Sequence, residues 1–396
     1  MKYLILLGDG MGDYPLDELG KKTILQAADT PNMDYLAKNG LSGLFRSIPD
    51  EMPAGSDIAI LSVLGYDPEV YYTGRGPLEA ANMGIDLKAG DVAFRCNLVT
   101  VEGDKLTDYS AGHIGNDDAK VLIDALQEEF ADNSCKFFAG VGYRHILVLN
   151  GDFEGTGCNP PHDIIGASIM DELPENPVIR DLILRSRQIL EDHPVNRKRH
   201  DQGLGVANMI WLWGEGSKPK MPSFFERFKV KGSVISAVDI IKGIGRCIGF
   251  GVIDVPGVTG YLDTNYRGKA EYAIRALDAD ECDLVFVHVE APDEAGHMGS
   301  IKDKMDAVEA FDREVVGRIL EWVKTTREVR ILLMPDHLTP ITLRTHTRDP
   351  VPFCIYQKNP GTKKSDEVTS FDEYSVKNGF FGLVEGDRLI RSFIEL

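Results

Sequence analysis

Short apolar runs alternate with helix-patterned segments near both ends of the chain. Residues 3–7, 284–287 and 331–334 are uninterrupted aliphatic or aromatic stretches, typical of strands that are buried on both faces. Residues 305–323 carry apolar side chains at helical spacing, which predicts a long helix on the sheet. The alternation predicts an α/β fold with a mostly parallel sheet and helices on both of its faces.

The pattern changes in the middle of the chain. Residues 93–115 alternate like a hairpin with a turn at 102–104, and residues 118–130 form an amphipathic helical pattern. Strands are expected at 135–140, 145–149 and 207–213. We therefore expect a large α/β insertion over residues 87–232, with residues 1–86 and 233–396 forming the domain that it interrupts.

Two segments near the N-terminus begin with signals for a helix start. Thr30 precedes Pro31, which predicts a helix with Thr30 as its cap and Pro31 at its first position. Ser56 stands at or near the start of a second helix over residues 58–64. Serine is a favoured cap, but a serine at a helix N-terminus can also act as a nucleophile on phosphate if its hydroxyl is activated, for example by a metal ion. The sequence leaves both interpretations open.

Acidic and imidazole side chains follow three of the predicted strands. These residues are Asp9, then Asp293 and His297, and then Asp336 and His337, with His346 nine residues further on. Each Asp–His pair alone is as consistent with an ordinary surface contact. Because open α/β sheets place their chemistry beyond the carboxyl ends of strands, the recurrence at three strand ends favours one common site.

These side chains and Ser56 could hold two divalent ions. Mixed nitrogen and oxygen ligands suit manganese or zinc better than calcium or magnesium. Two such ions roughly 3.5–4 Å apart clamp a phosphoryl group and lower the pKa of a coordinated hydroxyl.

Composition narrows the choice of partners. The 396 residues carry a net charge of −19, which disfavours nonspecific binding to nucleic acid. An anionic substrate needs local cations, and Arg75 between two glycines is one candidate. A basic run is either a solvated helical face or a lining for anionic groups; it contains Arg180, Arg185, Arg187, Arg197, Lys198, Arg199 and His200.

The remaining composition points to the cytoplasm by default. The six cysteines form no C-x-x-C pair, so we expect them to be reduced and not to bind zinc. The N-terminal apolar run is only five residues long and ends at Asp9, so it predicts a strand instead of a signal peptide. No apolar run approaches the length of a membrane span.

A series of motifs carries a resemblance to one family. In chain order they read GDGMGD, TPNMDYLAKNG, PAGSDIAILSVLGYDP, YYTGRGPLEAA, AFRCNLV, DYSAGHI, PDEAGHMG, PDH and THTRDPVP. On these motifs, which span essentially the whole chain, the sequence resembles the cofactor-independent phosphoglycerate mutases of the short, archaeal-type branch. That branch lies within the alkaline phosphatase superfamily.

The resemblance implies roles for individual residues. One metal ion would be held by Asp293, His297 and His346, and the other by Asp9, Asp336, His337 and the hydroxyl of Ser56. Ser56 would be the nucleophile that takes and returns the phosphoryl group. Lys242 and His113 would act in catalysis, and Arg144, Arg75 and Arg197 would bind substrate. The ions would be divalent, with manganese favoured over zinc, and no 2,3-bisphosphoglycerate would be needed.

Three functions remain open from the sequence. The first is an isomerase that moves phosphate between the 3- and 2-positions of glycerate, a small phosphorylated metabolite. The second is a related phosphotransferase on the same site, such as the proposed homoserine kinases of this branch, or a phosphatase. The third is a metal-binding or scaffolding protein without turnover. Neither nucleic acid nor a membrane is expected as a partner, and the oligomeric state is left open.

Overall fold

The apolar runs at both ends of the chain form strands of one sheet in the computed structural model, which describes residues 1–130, 134–325, 328–358 and 365–396. The described residues contain the strands β1 (Lys2–Gly8), β2 (Leu41–Arg46), β3 (Asp91–Glu102), β4 (Lys105–Asp108), β5 (Cys135–Val141), β6 (Arg144–Asn150), β7 (Met209–Ser217), β8 (Gly232–Ile235), β9 (Gly251–Val252), β10 (Leu284–Val289), β11 (Val329–Met334), β12 (Val351–Gln357) and β13 (Gly382–Glu385).

Sixteen α-helices occur in the same residues. They are α1 (Ile24–Ala27), α2 (Pro31–Asn39), α3 (Ser56–Val63), α4 (Pro68–Tyr71), α5 (Arg75–Asn82), α6 (Asn116–Phe130), α7 (Ile169–Glu172), α8 (Pro177–Leu190), α9 (Pro194–Asp201), α10 (Phe224–Phe228), α11 (Asp239–Cys247), α12 (Tyr266–Asp278), α13 (Ala291–Met298), α14 (Ile301–Ala310), α15 (Gly317–Thr325) and α16 (Arg388–Glu395). Short 3₁₀ helices cover Asp17–Leu19 and Ser375–Asn378, and a π-helix covers Phe311–Val316.

The chain divides into two compact units. One unit contains Met1–Tyr72 and Met221–Leu396, and the other contains Thr73–Lys220. The boundaries therefore lie earlier in the chain than the expected 86 and 232. The reason is local packing, because α5 packs against β3 and β7 of the second unit, whereas Phe224 of α10 packs against Phe250 of the first.

The first unit is built on an eight-stranded sheet in the order β13-β2-β12-β11-β1-β10-β8-β9. Every neighbouring pair is parallel except the two that β12 makes with β11 and β2. Residues 4–7 of β1 are fully buried, as expected for a strand covered on both faces. The predicted α/β fold with a mostly parallel sheet is confirmed.

The second unit contains a smaller antiparallel sheet. Strand β3 pairs with β4, β6 and β7, and β5 pairs with β6. The predicted hairpin turn lies between β3 and β4. Helices α6 and α8 cover the sheet through a separate apolar core that contains Leu122, Ile183 and Trp211.

One predicted helix cap is wrong. Pro31 does begin α2, but the side chain of Thr30 makes no capping hydrogen bond. The carboxylate of Asp312 instead accepts hydrogen bonds from the backbone N–H groups of Met33 at 2.7 Å and Asn32 at 3.3 Å. Asp312 lies in the π-helix that joins α14 to α15, within the long helix predicted over residues 305–323.

Among the described residues, none of the helices combines the length and the apolar content that a membrane span requires.

Candidate functional site

Three adjacent strands of the first unit end side by side. Leu7 of β1 is in register with Met334 of β11 and with His288 of β10, so these strands finish at one edge of the sheet. Asp9 follows β1 directly, and Asp336 comes two residues after β11. Helix α13 begins shortly after β10. The strand ends thus deliver the predicted acidic residues to one place, as the sequence pattern indicated.

The first group of side chains consists of Asp293, His297 and His346. Asp293 and His297 are one turn apart on α13, with His297 Nε2 3.1 Å from Asp293 Oδ2. His346 Nε2 lies 3.5 Å from Asp293 Oδ1 and 2.9 Å from His297 Nε2. Two imidazole nitrogens and a carboxylate therefore converge within the spacing expected of ligands to one ion.

The outer nitrogens of the two imidazoles show which atoms face inward. His297 Nδ1 lies 3.0 Å from the carbonyl oxygen of Arg344, and His346 Nδ1 lies 3.4 Å from that of Ala54. Because a carbonyl oxygen only accepts, each Nδ1 donates, and Nε2 of a neutral ring is then an acceptor. Two acceptor nitrogens 2.9 Å apart need a proton or a metal cation between them. Asp293 is the main cause that raises the pKa of His297 to about 9.

The second group consists of Ser56, His337 and two buried carboxylates. His337 Nε2 lies 3.1 Å from Ser56 Oγ and 3.4 Å from both Asp9 Oδ1 and Asp336 Oδ2. The other oxygen of Asp336 accepts hydrogen bonds from the backbone N–H groups of Gly10 and His337. This anchoring fixes the direction in which Oδ2 of Asp336 points.

Two carboxylate oxygens in this second group are buried without a hydrogen-bond partner in the described structure. They are Asp9 Oδ1 and Asp336 Oδ2. Burial, together with the charges of Asp336 and Asp293, raises the pKa of Asp9 well above its usual value. Uncompensated buried carboxylates are costly, and a bound cation is a common way to satisfy them.

Ser56 does not cap its own helix. The cap of α3 is Gly55, which is extended and makes no side-chain hydrogen bond, and Ser56 is the first helical residue. Its hydroxyl instead faces His337. Of the two interpretations that the sequence left open for Ser56, the structural role as a cap is therefore wrong.

All seven side chains predicted for the metal site come together in the first unit, but a neighbouring histidine was missed. Two sets of three residues have possible ligand atoms that all lie within 4.8 Å of one another: Asp293, His337 and His346, and Asp9, His288 and Asp336. His288 lies within the apolar run of β10, whose pattern is typical of buried core. The one sequence feature that could have pointed to His288 is that it is the single polar residue of that run, close to the carboxyl end of the strand.

The ammonium group of Lys242 lies near a carboxylate of its own unit. Lys242 lies on α11, which packs against α3, and its Nζ is 3.4 Å from Asp254 Oδ1. In the described structure no hydrogen bond joins the Lys242 and Ser56 side chains.

The second unit gathers arginines around one indole ring. The guanidinium carbons of Arg75 and Arg95 lie 5.6 and 5.2 Å from the centre of the Trp213 ring. Arg95 is buried and paired with Glu79. Burial, and the nearby charges of Arg75 and Arg144, lower the pKa of Arg95. The predicted residues Arg75 and Arg144 thus share a neighbourhood with Arg95, which sequence reasoning had not singled out.

The other two predicted residues of this unit are exposed. His113 lies in the turn before α6 with a φ of 49°, where the carboxylate of Asp108 accepts hydrogen bonds from the backbone of Ser110 and Gly112. Arg197 lies on α9, 3.9 Å from Asp192.

Most of the basic run around Arg197 is ordinary helix surface. Arg187 pairs with Glu191, and Arg185 lies near Asp181. Arg199 is buried, but its guanidinium pairs with Asp118 and donates to the Ala111 carbonyl. These contacts favour the solvated-face interpretation of the run, with Arg199 as a structural exception.

Comparison with known proteins identifies the family. A family model described as 2,3-bisphosphoglycerate-independent phosphoglycerate mutase matches residues 37–196. The protein of that name from Methanosarcina barkeri is 54% identical over 395 residues, covering 98% of each chain. The chain belongs to the 2,3-bisphosphoglycerate-independent phosphoglycerate mutase family.

Solved structures agree with membership in the phosphoglycerate mutase family. The cofactor-independent phosphoglycerate mutase from Thermoplasma acidophilum is 31% identical, with a TM-score of 0.67, and the match covers 100% of this chain and 99% of that one. The PH0037 protein from Pyrococcus horikoshii is 30% identical with a TM-score of 0.83, over 100% and 96% of the two chains. The family resemblance drawn from the motifs is confirmed, and the chain is that of an enzyme.

The side chains at the strand ends fit the divalent ions that the phosphoglycerate mutase family implies. Two observations support this fit. Asp9 Oδ1 and Asp336 Oδ2 are buried without a hydrogen-bond partner in the described structure, and the Nε2 atoms of His297 and His346 lie 2.9 Å apart. Carboxylate oxygens and imidazole nitrogens form a donor set suited to a divalent transition metal.

Proposed function

We propose that the protein interconverts 3-phosphoglycerate and 2-phosphoglycerate through a phosphoserine on Ser56. The observation that supports this most strongly is the position of the Ser56 hydroxyl. It stands at the N-terminus of α3, 3.1 Å from His337 Nε2. His337 Nε2 in turn lies 3.4 Å from Asp9 Oδ1 and Asp336 Oδ2, the two carboxylate oxygens without a hydrogen-bond partner in the described structure. A helix N-terminus favours an incoming phosphate because its N–H groups and dipole are positive there.

In this proposal the two groups of side chains hold two divalent ions, with Mn²⁺ favoured. Asp293, His297 and His346 would hold one ion. A second set, which consists of Asp9, Asp336, His337 and the Ser56 hydroxyl, would hold the other. When bound, such ions neutralise charge on the transferring phosphoryl oxygens and favour the deprotonated serine.

The transfer itself balances within the chain and its substrate. Ser56 Oγ attacks phosphorus, the bond from phosphorus to the substrate oxygen breaks, and that oxygen takes a proton. The glycerate then attacks the phosphoserine through its other hydroxyl, which loses a proton, and Ser56 is restored. The net change is a phosphoryl group moved in one direction and a proton moved in the other, so no nucleotide is consumed.

Residues of the second unit would bind the glycerate. Arg75 and Arg144, with Arg95 nearby, offer guanidinium groups of the kind that recognise carboxylate and phosphate. Arg197 is a further candidate for the same role. His113, exposed on its turn, is assigned to proton transfer.

Lys242 belongs to the first unit and is assigned to balancing charge on the phosphoryl oxygens. In the described structure its ammonium group lies near Asp254, so this role requires the side chain to leave that exposed carboxylate.

An activity assay with matched serine variants tests the proposal. Mn²⁺-loaded protein should interconvert the two phosphoglycerates, and Ser56→Ala should lower kcat by at least about 10³-fold because the nucleophile is lost. Ser62→Ala is the control: Ser62 lies on the same helix, and its hydroxyl donates to the Ile58 carbonyl of that helix. We expect it to retain turnover.

Other outcomes would replace the proposal. Phosphate transfer to homoserine from ATP, without mutase activity, would indicate the kinase. Release of free phosphate as the main product would indicate a phosphatase. Equal activity of Ser56→Ala and the unmodified protein would remove the phosphoserine.

A further inference from the structure

A buried histidine lies between two carboxylates beside the second group of side chains. His288 is fully buried in β10. Its Nε2 lies 3.1 Å from Asp9 Oδ2, and its Nδ1 lies 3.0 Å from Glu290 Oε1. The imidazole therefore links Asp9, a proposed metal ligand, to a carboxylate that has no other place in the proposed reaction.

Glu290 is itself held from several directions. Its Oε1 accepts hydrogen bonds from the Ser236 hydroxyl and the Ala237 N–H, both at 2.8 Å. Its Oε2 pairs with Lys269 Nζ at 2.7 Å, and Lys269 also donates to the His288 carbonyl at 2.6 Å. Lys269 is fully buried and Glu290 nearly so. The chain Lys269–Glu290–His288 is thus a rigid support, because each member has fixed partners and water is excluded.

The two oxygens of Asp9 have different neighbours. Oδ2 is the oxygen nearest His288, whereas Oδ1 is the oxygen nearest His337 and has no hydrogen-bond partner in the described structure. His288 Nε2 makes no hydrogen bond in the described structure, so it acts on Asp9 through the ion-pair contact of 3.1 Å with Oδ2. That contact limits rotation of the carboxylate and so fixes the direction of Oδ1. Outer partners of this kind orient metal-binding carboxylates in many sites.

We propose that His288, supported by Glu290 and Lys269, is a positioning residue that orients Asp9 so that Oδ1 faces the second metal ion. The inference rests on the metal binding in the proposed function but not on the reaction. In this proposal His288 is not a ligand of the second ion. It lies nearest Asp9 Oδ2, whereas the oxygen that would bind the ion is Asp9 Oδ1, on the side of His337.

Metal binding at the second group alone provides the test. In a His346→Ala background, which removes a ligand of the first group, Mn²⁺ is titrated into metal-free protein and free Mn²⁺ is followed by electron paramagnetic resonance. Adding His288→Phe should lower the Mn²⁺ affinity of the remaining second group by about 10–100-fold. Lys269→Met, which is separated from Asp9 by Glu290 and His288, should weaken the Mn²⁺ affinity in the same direction but by less. If His288→Phe does not fold, Lys269→Met carries the test.

A matched control separates positioning from general loosening. His145 is another buried histidine, in the second unit, and His145→Phe in the same background should leave the Mn²⁺ affinity unchanged. In an Asp336→Ala background, which retains the first group, His288→Phe should not change Mn²⁺ binding either. The proposal would be overturned if His288→Phe lowered the Mn²⁺ affinity equally at both groups. An unchanged affinity at the second group, or no Mn²⁺ binding there at all, would also overturn it.

Pulsed electron paramagnetic resonance then distinguishes support from ligation. Nitrogen couplings of Mn²⁺ at the second group should indicate one coordinated imidazole, that of His337, with and without His288→Phe. A second coupled nitrogen that disappears in His288→Phe would make His288 a ligand and overturn the positioning role. Because no substrate is present, these results are independent of whether the protein proves to be a mutase.

Discussion

Ser56 shows how a single position can combine helix geometry with chemistry. Because Gly55 takes the cap position, the Ser56 side chain does not serve as the helix cap, and its hydroxyl lies next to His337 Nε2. At the first helical position, that hydroxyl is also next to the positive end of the helix dipole. The proposed phosphoserine would therefore form where the backbone already favours negative charge.

Glu373 provides a prediction on pH and stability. Its carboxylate is buried and accepts hydrogen bonds from the Asp13 N–H and the Thr23 hydroxyl. Burial raises the pKa of Glu373 from 4.5 to about 7. A carboxyl whose pKa is raised on folding stabilises the fold fully below the unfolded pKa, and this contribution is lost as pH rises through the folded pKa.

Glu373→Gln should remove that pH-dependent loss. The free energy of unfolding of the variant, minus that of the unmodified protein, should rise by on the order of 2 kcal/mol from pH 5 to pH 8. Urea unfolding of metal-free protein at the two pH values measures the change in the free energy of unfolding. A stability difference between the two proteins that is the same at pH 5 and pH 8 would contradict the assigned pKa.

Residues that follow strands could be predicted, and residues inside strands could not. Asp9, Asp293 and Asp336 interrupt an apolar pattern at its end, which is visible in the sequence. His288 lies within a buried run, where one polar side chain does not reveal its partners. The same holds for Arg95, whose ion pair with Glu79 depends on the packing of α5 on β3.

At the scale of elements, helix α2 depends on a residue distant in the chain. Its first N–H groups donate to Asp312, which lies in the π-helix between α14 and α15. The Asn32 side chain also donates to the Asp312 carboxylate, at 2.8 Å. One carboxylate thus holds together two elements that are separated by most of the chain.

Asp312→Ala should destabilise the first unit. Loss of the cap should lower the free energy of unfolding by about 1–2 kcal/mol. Thr30→Val is the matched control: it removes the hydroxyl that the sequence suggested as a cap, and it should change stability by less than Asp312→Ala does. Chemical denaturation of the two variants makes the comparison, and a larger effect of Thr30→Val would restore Thr30 as the cap.

The positions of elements followed from local periodicity, whereas this cap did not. Strands β1, β10 and β11 and helices α3 and α6 lie close to where the pattern placed them, because buried faces impose their spacing on neighbouring residues. The Asp312 contact is tertiary, so no local spacing encodes it. The antiparallel direction of β12 was likewise not foreseen, since its apolar run resembles those of the parallel strands.

At the scale of the whole molecule, each unit has its own apolar core and its own concentration of charge. The first holds three buried aspartates at adjacent strand ends in a chain of net charge −19. The second holds the arginines around Trp213. The family and the order of its motifs were predictable from the sequence. The unit boundaries were less so, because they depend on how α5 and α10 pack.

Divalent ions should stabilise the folded protein. At a free Mn²⁺ concentration of 100 times Kd, each independent site should add about 2.7 kcal/mol to the free energy of unfolding. Metal analysis after gel filtration should find two ions per chain, and one in His346→Ala. Thermal unfolding with and without Mn²⁺ measures the stabilisation. An unchanged Tm together with no retained metal would contradict the two-ion site.

The phosphoserine can be trapped directly. Mn²⁺-loaded protein is mixed with 3-phosphoglycerate labelled with ³²P, quenched in acid within milliseconds, and digested for peptide mapping. We predict label on the peptide that contains Ser56 and none in Ser56→Ala. Label on another residue, or interconversion of the two phosphoglycerates with no covalent label at any time, would contradict the proposed role of Ser56.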